Sequence, residues 1–101
     1  MEVNVQSIHF DADVKLIEFI DRKVNKLETF YDQIISADVI LRLEKNGKVQ
    51  DKIAEIKINV PGNTLLAKQT CKSFEEAIDA GTESLRRQLV RHKEKIRKKQ
   101  M

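Results

Sequence analysis

Few residues in this chain could carry covalent chemistry, and they do not converge. Cys71 is the sole thiol, and the two histidines, His9 and His92, are far apart in the sequence. A Cys–His nucleophilic pair needs contact and a third group that orients the base. Cys71 stands at the end of an apolar–polar alternation, in phase with Leu65 and Ala67, where it reads as a small buried hydrophobe. His92 falls on the apolar arc of a basic stretch and reads as a packed or rim histidine. One cysteine can form neither an internal disulfide nor a Cys-rich zinc site. Glu75, Glu76, Asp79 and Glu83 could in principle hold a metal, but a helix start favours negative charge by itself. The surroundings of Gly47, Gly62 and Gly81 match neither a dinucleotide nor a P-loop fingerprint, and no carboxylate pair has a rationale for acid–base work. The expectation is a chain that is not an enzyme, with no catalytic residue, cofactor, metal or small-molecule substrate.

The charges are more informative. Of 101 residues, 35% are charged, against about a quarter in an average domain. From Met1 to Glu83 eleven Lys/Arg face fifteen Asp/Glu, a net of −4; from Ser84 to Met101 eight Lys/Arg face one acid, a net of +7. An acidic body with a basic end suggests a polyanionic partner. The macrodipole alone accounts for two or three cations in a last turn, and eight exceed that.

Those cations follow a helical pattern. Taking Leu85 as the reference direction, Arg86, Lys93 and Arg97 lie near ~80–120° on a helical wheel, and Arg87, Arg91, Lys95 and Lys98 near ~200–280°. The cations therefore flank the apolar arc of Leu85, Leu89 and Ile96 on both sides. Two rows about a helix diameter apart suit phosphates on two neighbouring strands. The earlier amphipathic stretch adds Arg22, Lys23 and Lys26 off its apolar stripe.

Other partners of a basic helix fit less well. An interfacial membrane helix carries large exposed apolar residues, whereas here the apolar arc should be consumed by packing. Major-groove helices usually come in a dimer or repeat, so no DNA is expected. Single-strand readers stack bases on aromatics, and the outward face offers none. Contacts to folded RNA through phosphate, sugar and shape fit best.

The elements that must position these residues read as strand, helix, three strands, helix. Val3 and Val5 alternate with polar neighbours, and the phase changes at Ile8 and Phe10. Asp11 or Asp13 can cap a helix, and Leu16, Ile17, Ile20, Val24, Leu27 and Tyr31 recur at helical spacing over about 12–31. Ala37, Val39, Leu41 and Leu43 alternate with Asp38, Ile40, Arg42 and Glu44, a strand with one buried face. Asn46-Gly47 is a hairpin signal, and Ala54, Ile56, Ile58 and Val60 form its second arm. Pro61-Gly62-Asn63 is a turn, and Leu65, Ala67, Gln69 and Cys71 make the next arm. Ser73 and Glu76 form a capping box opening a helix over about 73–98. The predicted class is α+β: one domain over 1–101, with a four-stranded, mainly antiparallel sheet carrying both helices on its apolar face and a mixed, solvated face opposite. At ~1.5 Å per residue the last helix spans roughly 38 Å and should overhang five-residue strands of ~17 Å. No segment approaches the ~20 apolar residues that span a bilayer, and no signal peptide precedes the first strand; no membrane partner and a cytoplasmic location are expected.

The ordered set Glu18-Phe19, Lys23, Lys26-Leu27-Glu28, Ala77-Ile78-Asp79, Leu85, Arg87-Gln88-Leu89, His92-Lys93 and Lys95 resembles the bacterial hibernation promoting factor and ribosome-associated inhibitor family over nearly the whole chain. The resemblance implies a fold similar to a double-stranded-RNA-binding domain. It also implies binding to the small ribosomal subunit and its rRNA, in the channel of messenger and transfer RNA, and inhibition of translation in resting cells. By position, Lys23, Lys26, Arg87, Arg91, Lys93 and Lys95 match basic family positions. Relatives often place an Asp and a Tyr where Ser73 and Glu75 stand here. The expected form is the short one, without a second dimerisation domain or an extended tail. The rival reading is a regulatory module that binds RNA off the ribosome or an acidic partner.

Overall fold

The computed structural model describes the backbone of residues 1–46 and 49–99, and the side chains of 1–45 and 51–97. Its elements are β1 (Glu2–Ser7), α1 (Val14–Asn25), a 3-10 turn (Lys26–Thr29), β2 (Ser36–Asn46), β3 (Val49–Val60), β4 (Asn63–Cys71) and α2 (Phe74–Lys99). The sheet order follows the sequence, β1-β2-β3-β4. The β2–β3 and β3–β4 pairs are antiparallel, and β1 runs parallel to β2. A parallel pair needs a crossover between its strands, and α1 supplies it. The sheet is therefore mixed, with its one parallel pair at the edge.

Both helix starts use local hydrogen bonds. The Asp13 carboxylate accepts from the Leu16 amide at 2.8 Å, which settles the capping alternatives in favour of Asp13 over Asp11. Ser73 Oγ accepts from the Glu76 amide at 3.2 Å. The first helix is shorter than its apolar period suggests. After Asn25 the backbone tightens into the 3-10 turn, yet Leu27 and Tyr31 stay buried, so apolar spacing cannot distinguish the two windings. Between β1 and α1 the Ile8 amide donates to the Leu41 carbonyl, His9 takes the left-handed region (φ 64°), and Phe10 stacks on Phe74 at 5.1 Å. That sharp bend is the phase change seen at Ile8 and Phe10.

The core lies between the helices and one sheet face. Ile20, Val24, Leu41, Ile56, Ile58, Ile78, Leu85 and Leu89 are fully buried in it; each such side chain contributes roughly 1.5–3 kcal/mol. At Gly81, α2 lies so close to the sheet that an added Cβ would meet Ile56 Cδ1 at 2.9 Å. Pro61 and Gly62 make the tight turn, with Gly62 at φ 76°. Gly47, half of the other predicted turn, lies outside the described residues.

Two expectations need correction. The strands are longer than five residues, at 11, 12 and 9 for β2–β4, so β4 spans roughly 30 Å against ~39 Å for α2, leaving an overhang of about two turns. The second sheet face is not wholly solvated. Ile53 points to that side and is only 3% exposed, flanked across the strands by Arg42 and Thr70. Long Arg stems can cover apolar surface in this way.

Candidate nucleic-acid interface

The helices α1 and α2 run side by side in the same direction, since Lys23 Nζ meets Asp79 Oδ1 at 2.9 Å near one end and Arg86 lies over the Phe30 ring further along. The two predicted basic rows thereby acquire different neighbours.

The row of Arg86, Lys93 and Arg97 faces α1 and the 3-10 turn. Lys23, Lys26, Phe30, Asp79, Glu83 and Arg86 line a hollow of about 370 Å³ between the helices. Beyond Phe30 a second hollow, of about 290 Å³, is lined by Thr29, Phe30, Val90, Lys93, Glu94 and Arg97. Lys23 and Lys26 thus line the same hollow as Arg86 of α2. Arg22 does not line either hollow; its guanidinium sits 5.5 Å from the centroid of Phe19, with Lys23 Nζ at 5.6 Å from the same ring.

The row of Arg87, Arg91 and Lys95 faces the β4 edge. Gln88, on that side, donates to the Leu66 carbonyl at 3.1 Å, which ties α2 to the outer strand. Arg91 and Lys95 are exposed. The backbone of Lys98 belongs to α2, and its side chain lies outside the described residues.

Acids restrain the first cations of α2. Arg86 Nε donates to Glu83 Oε2 at 3.1 Å, and its second guanidinium nitrogen reaches Glu83 Oε1. Arg87 lies 4.0 Å from the same carboxylate. The hydrogen bond from Arg86, aided by both guanidinium charges, holds the Glu83 carboxyl below the usual carboxylate range. Among the described residues, no carboxylate stands within 4.0 Å of Arg91, Lys93, Lys95 or Arg97. Asp79 and Glu83, read from sequence as conceivable metal ligands, are thus engaged with Lys23 and with Arg86 and Arg87. Cys71 packs at the core margin. His92 meets Tyr31 edge-on at 5.3 Å, a packed rim histidine.

Sequence reasoning missed the aromatics. Phe19 and Phe30 are half-buried beside the cations of α1 and α2, so the basic surface does offer aromatic rings. For Phe19 the signal was there, since Arg22 and Lys23 follow it at i+3 and i+4 on the same helix; for Phe30 the sequence carries none, because its cation, Arg86, comes from a distant helix.

Residues 3–97 match the family model described as Sigma 54 modulation protein / S30EA ribosomal protein. The chain belongs to this family. Within the Sigma 54 modulation protein / S30EA group, a ribosome hibernation promoting factor of Pseudomonas putida is 33% identical over 95 residues, covering 94% of this chain and 89% of that protein. A ribosome hibernation promoting factor of Azotobacter vinelandii is 34% identical over 95 residues, covering 94% and 85%. A solved ribosomal subunit interface protein of Coxiella burnetii shares the fold, with a TM-score of 0.80 at 22% identity over 92% of this chain and 98% of that one.

Proposed function

We propose that this chain is a ribosome hibernation factor that binds RNA of the small subunit from the cytoplasm, occupies the messenger and transfer RNA channel, and holds translation down in resting cells. One observation carries the reading: the last turns of α2 present Arg91, Lys93, Lys95 and Arg97 on two flanks with no described carboxylate within 4.0 Å of any of them. Phosphate contacts dominate nucleic-acid affinity. Arg supplies planar forks for phosphate and Lys supplies point charges. The names of the Pseudomonas and Azotobacter relatives point the same way. In this reading Arg87, Arg91 and Lys95 follow one line of phosphates from the β4 side, and Lys23, Lys26, Arg86, Lys93 and Arg97 hold another from the α1 side. Arg22 and Lys98 add to the surrounding field. No step makes or breaks a covalent bond; inhibition comes from occupying space that other RNAs need.

Sedimentation with purified ribosomal particles tests this directly. The protein is expected to pellet with vacant small subunits and to be displaced when messenger and transfer RNA are bound first. Failure to pellet at low salt would remove the ribosome from the reading and favour an off-ribosome RNA or an acidic protein. Pelleting unaffected by messenger and transfer RNA would remove the channel while keeping the ribosome.

A further inference from the structure

The two flanks of α2 are chemically different. Among the described residues, the β4-side flank carries cations and no aromatic ring, whereas the α1-side flank carries cations on both sides of Phe30. That ring borders both hollows. Three cations and two carboxylates line the first, and two cations and one carboxylate line the second, so each hollow has one excess positive charge. An aromatic ring with one excess positive charge on either side matches a single nucleotide step: a base on the ring, a phosphate before it and a phosphate after it. A duplex cannot use this arrangement, because its bases are stacked inward, whereas unpaired nucleotides stack on aromatic side chains.

We infer that the groove between α1 and α2 takes an unpaired RNA nucleotide, its base against Phe30 and its flanking phosphates in the two adjoining hollows. The inference rests on the proposed RNA-binding function for its class of ligand and adds to it a second mode of contact. Arg86 already lies 5.7 Å from the Phe30 centroid and occupies one side of the ring. Asp79 and Glu83 both line the first hollow and hold Lys23 and Arg86 there. A phosphate in that hollow is therefore met best by Lys26, which has no described carboxylate partner, and a phosphate in the second by Lys93 and Arg97. Base identity matters little, since every base has a face that can stack.

The chain contains no tryptophan, so Phe30→Trp gives a single reporter at the ring. The probes are a single-stranded purine RNA octamer, the same octamer paired with its complement, and inorganic polyphosphate. Quenching of the indole by the single strand, with little change from duplex or polyphosphate, is the expected result. Equal change with all three would show that charge alone is sensed and would overturn the inference. So would an octamer that binds without changing the fluorescence, or one that does not bind. Phe30→Leu keeps an apolar side chain against the core and serves as the second variant. It should weaken single-strand binding roughly tenfold, within the range of base–aromatic stacking, and leave duplex binding within about twofold. Equal loss for single strand and duplex would make Phe30 a packing residue only. Sedimentation of the unaltered protein with small subunits is read separately. Pelleting without quenching overturns the stacked nucleotide alone, and quenching without pelleting overturns the ribosome alone.

Discussion

On the outer face of the sheet, Arg42 and Lys68 converge on Glu55, and Lys72 lies 3.7 Å from Asp51. Along the end of α2, Arg91, Lys93, Lys95 and Arg97 follow one another with Glu94 as the only acid among them. Both regions are rich in cations, yet only one keeps a field that reaches into solvent. Exposed ion pairs contribute only about 0–1 kcal/mol each, so the sheet's pairs matter little for stability; they mute the face. A count of Lys and Arg does not distinguish these regions. The placement of the acids does.

The sharpest way to break this contrast is to reverse the charge on the β4-side row. Arg87→Glu, Arg91→Glu and Lys95→Glu together should nearly abolish inhibition of cell-free translation. Circular dichroism should stay unchanged, because Leu85 and Leu89 still pack on the sheet. Full inhibition by a folded triple variant would show that α2 is not the binding surface. Next in size is the response to salt. If about five phosphates are neutralised, log affinity should fall against log salt with a slope of roughly −3.5 to −4.5; a flat line between low and intermediate salt contradicts an electrostatic interface. Glu83→Gln should act in the opposite direction. Releasing Arg86 and Arg87 should tighten RNA binding about two- to fivefold, the scale of one exposed ion pair, and unchanged or weaker binding would mean that Glu83 positions these guanidiniums rather than masks them. The smallest effect belongs to the sheet. Arg42→Glu, Lys57→Glu and Lys68→Glu together should leave translation inhibition within about twofold of the parent. A loss comparable to that of the helix variant would erase the distinction.

How much of this was legible beforehand depends on the range of the interaction. The caps at Asp13 and Ser73 were readable because they act within three residues. The β2–β3–β4 meander was readable because alternation and turns are local, and the amphipathic period of α2 placed its two cation rows on opposite flanks. What escaped was tertiary. Nothing in the alternation of β3 marks Ile53 as buried on the far side, since its cross-strand neighbours there, Arg42 and Thr70, are polar and distant in sequence. Phe30 meets Arg86 only because α2 packs beside the segment that follows α1, whereas the cations over Phe19 are its own helical neighbours Arg22 and Lys23. The switch to 3-10 winding at Lys26 leaves the burial of Leu27 and Tyr31 unchanged, and so leaves no trace in the pattern.

The parallel pairing of β1 has a consequence for how the chain assembles. The strands β2, β3 and β4 pair with their neighbours in sequence, so their contacts close small loops early. The first strand aligns Glu2 with Ser36 and Ser7 with Leu41, and it reaches that register only after α1 has crossed the sheet. Contacts between residues distant in sequence carry a larger loop-closure entropy and slow folding. During synthesis the first residues to emerge must therefore wait for their neighbour, while the last three strands can zip together as they appear. At equilibrium the same asymmetry should be visible as faster amide hydrogen exchange in β1 than in β3, which has a partner on each side.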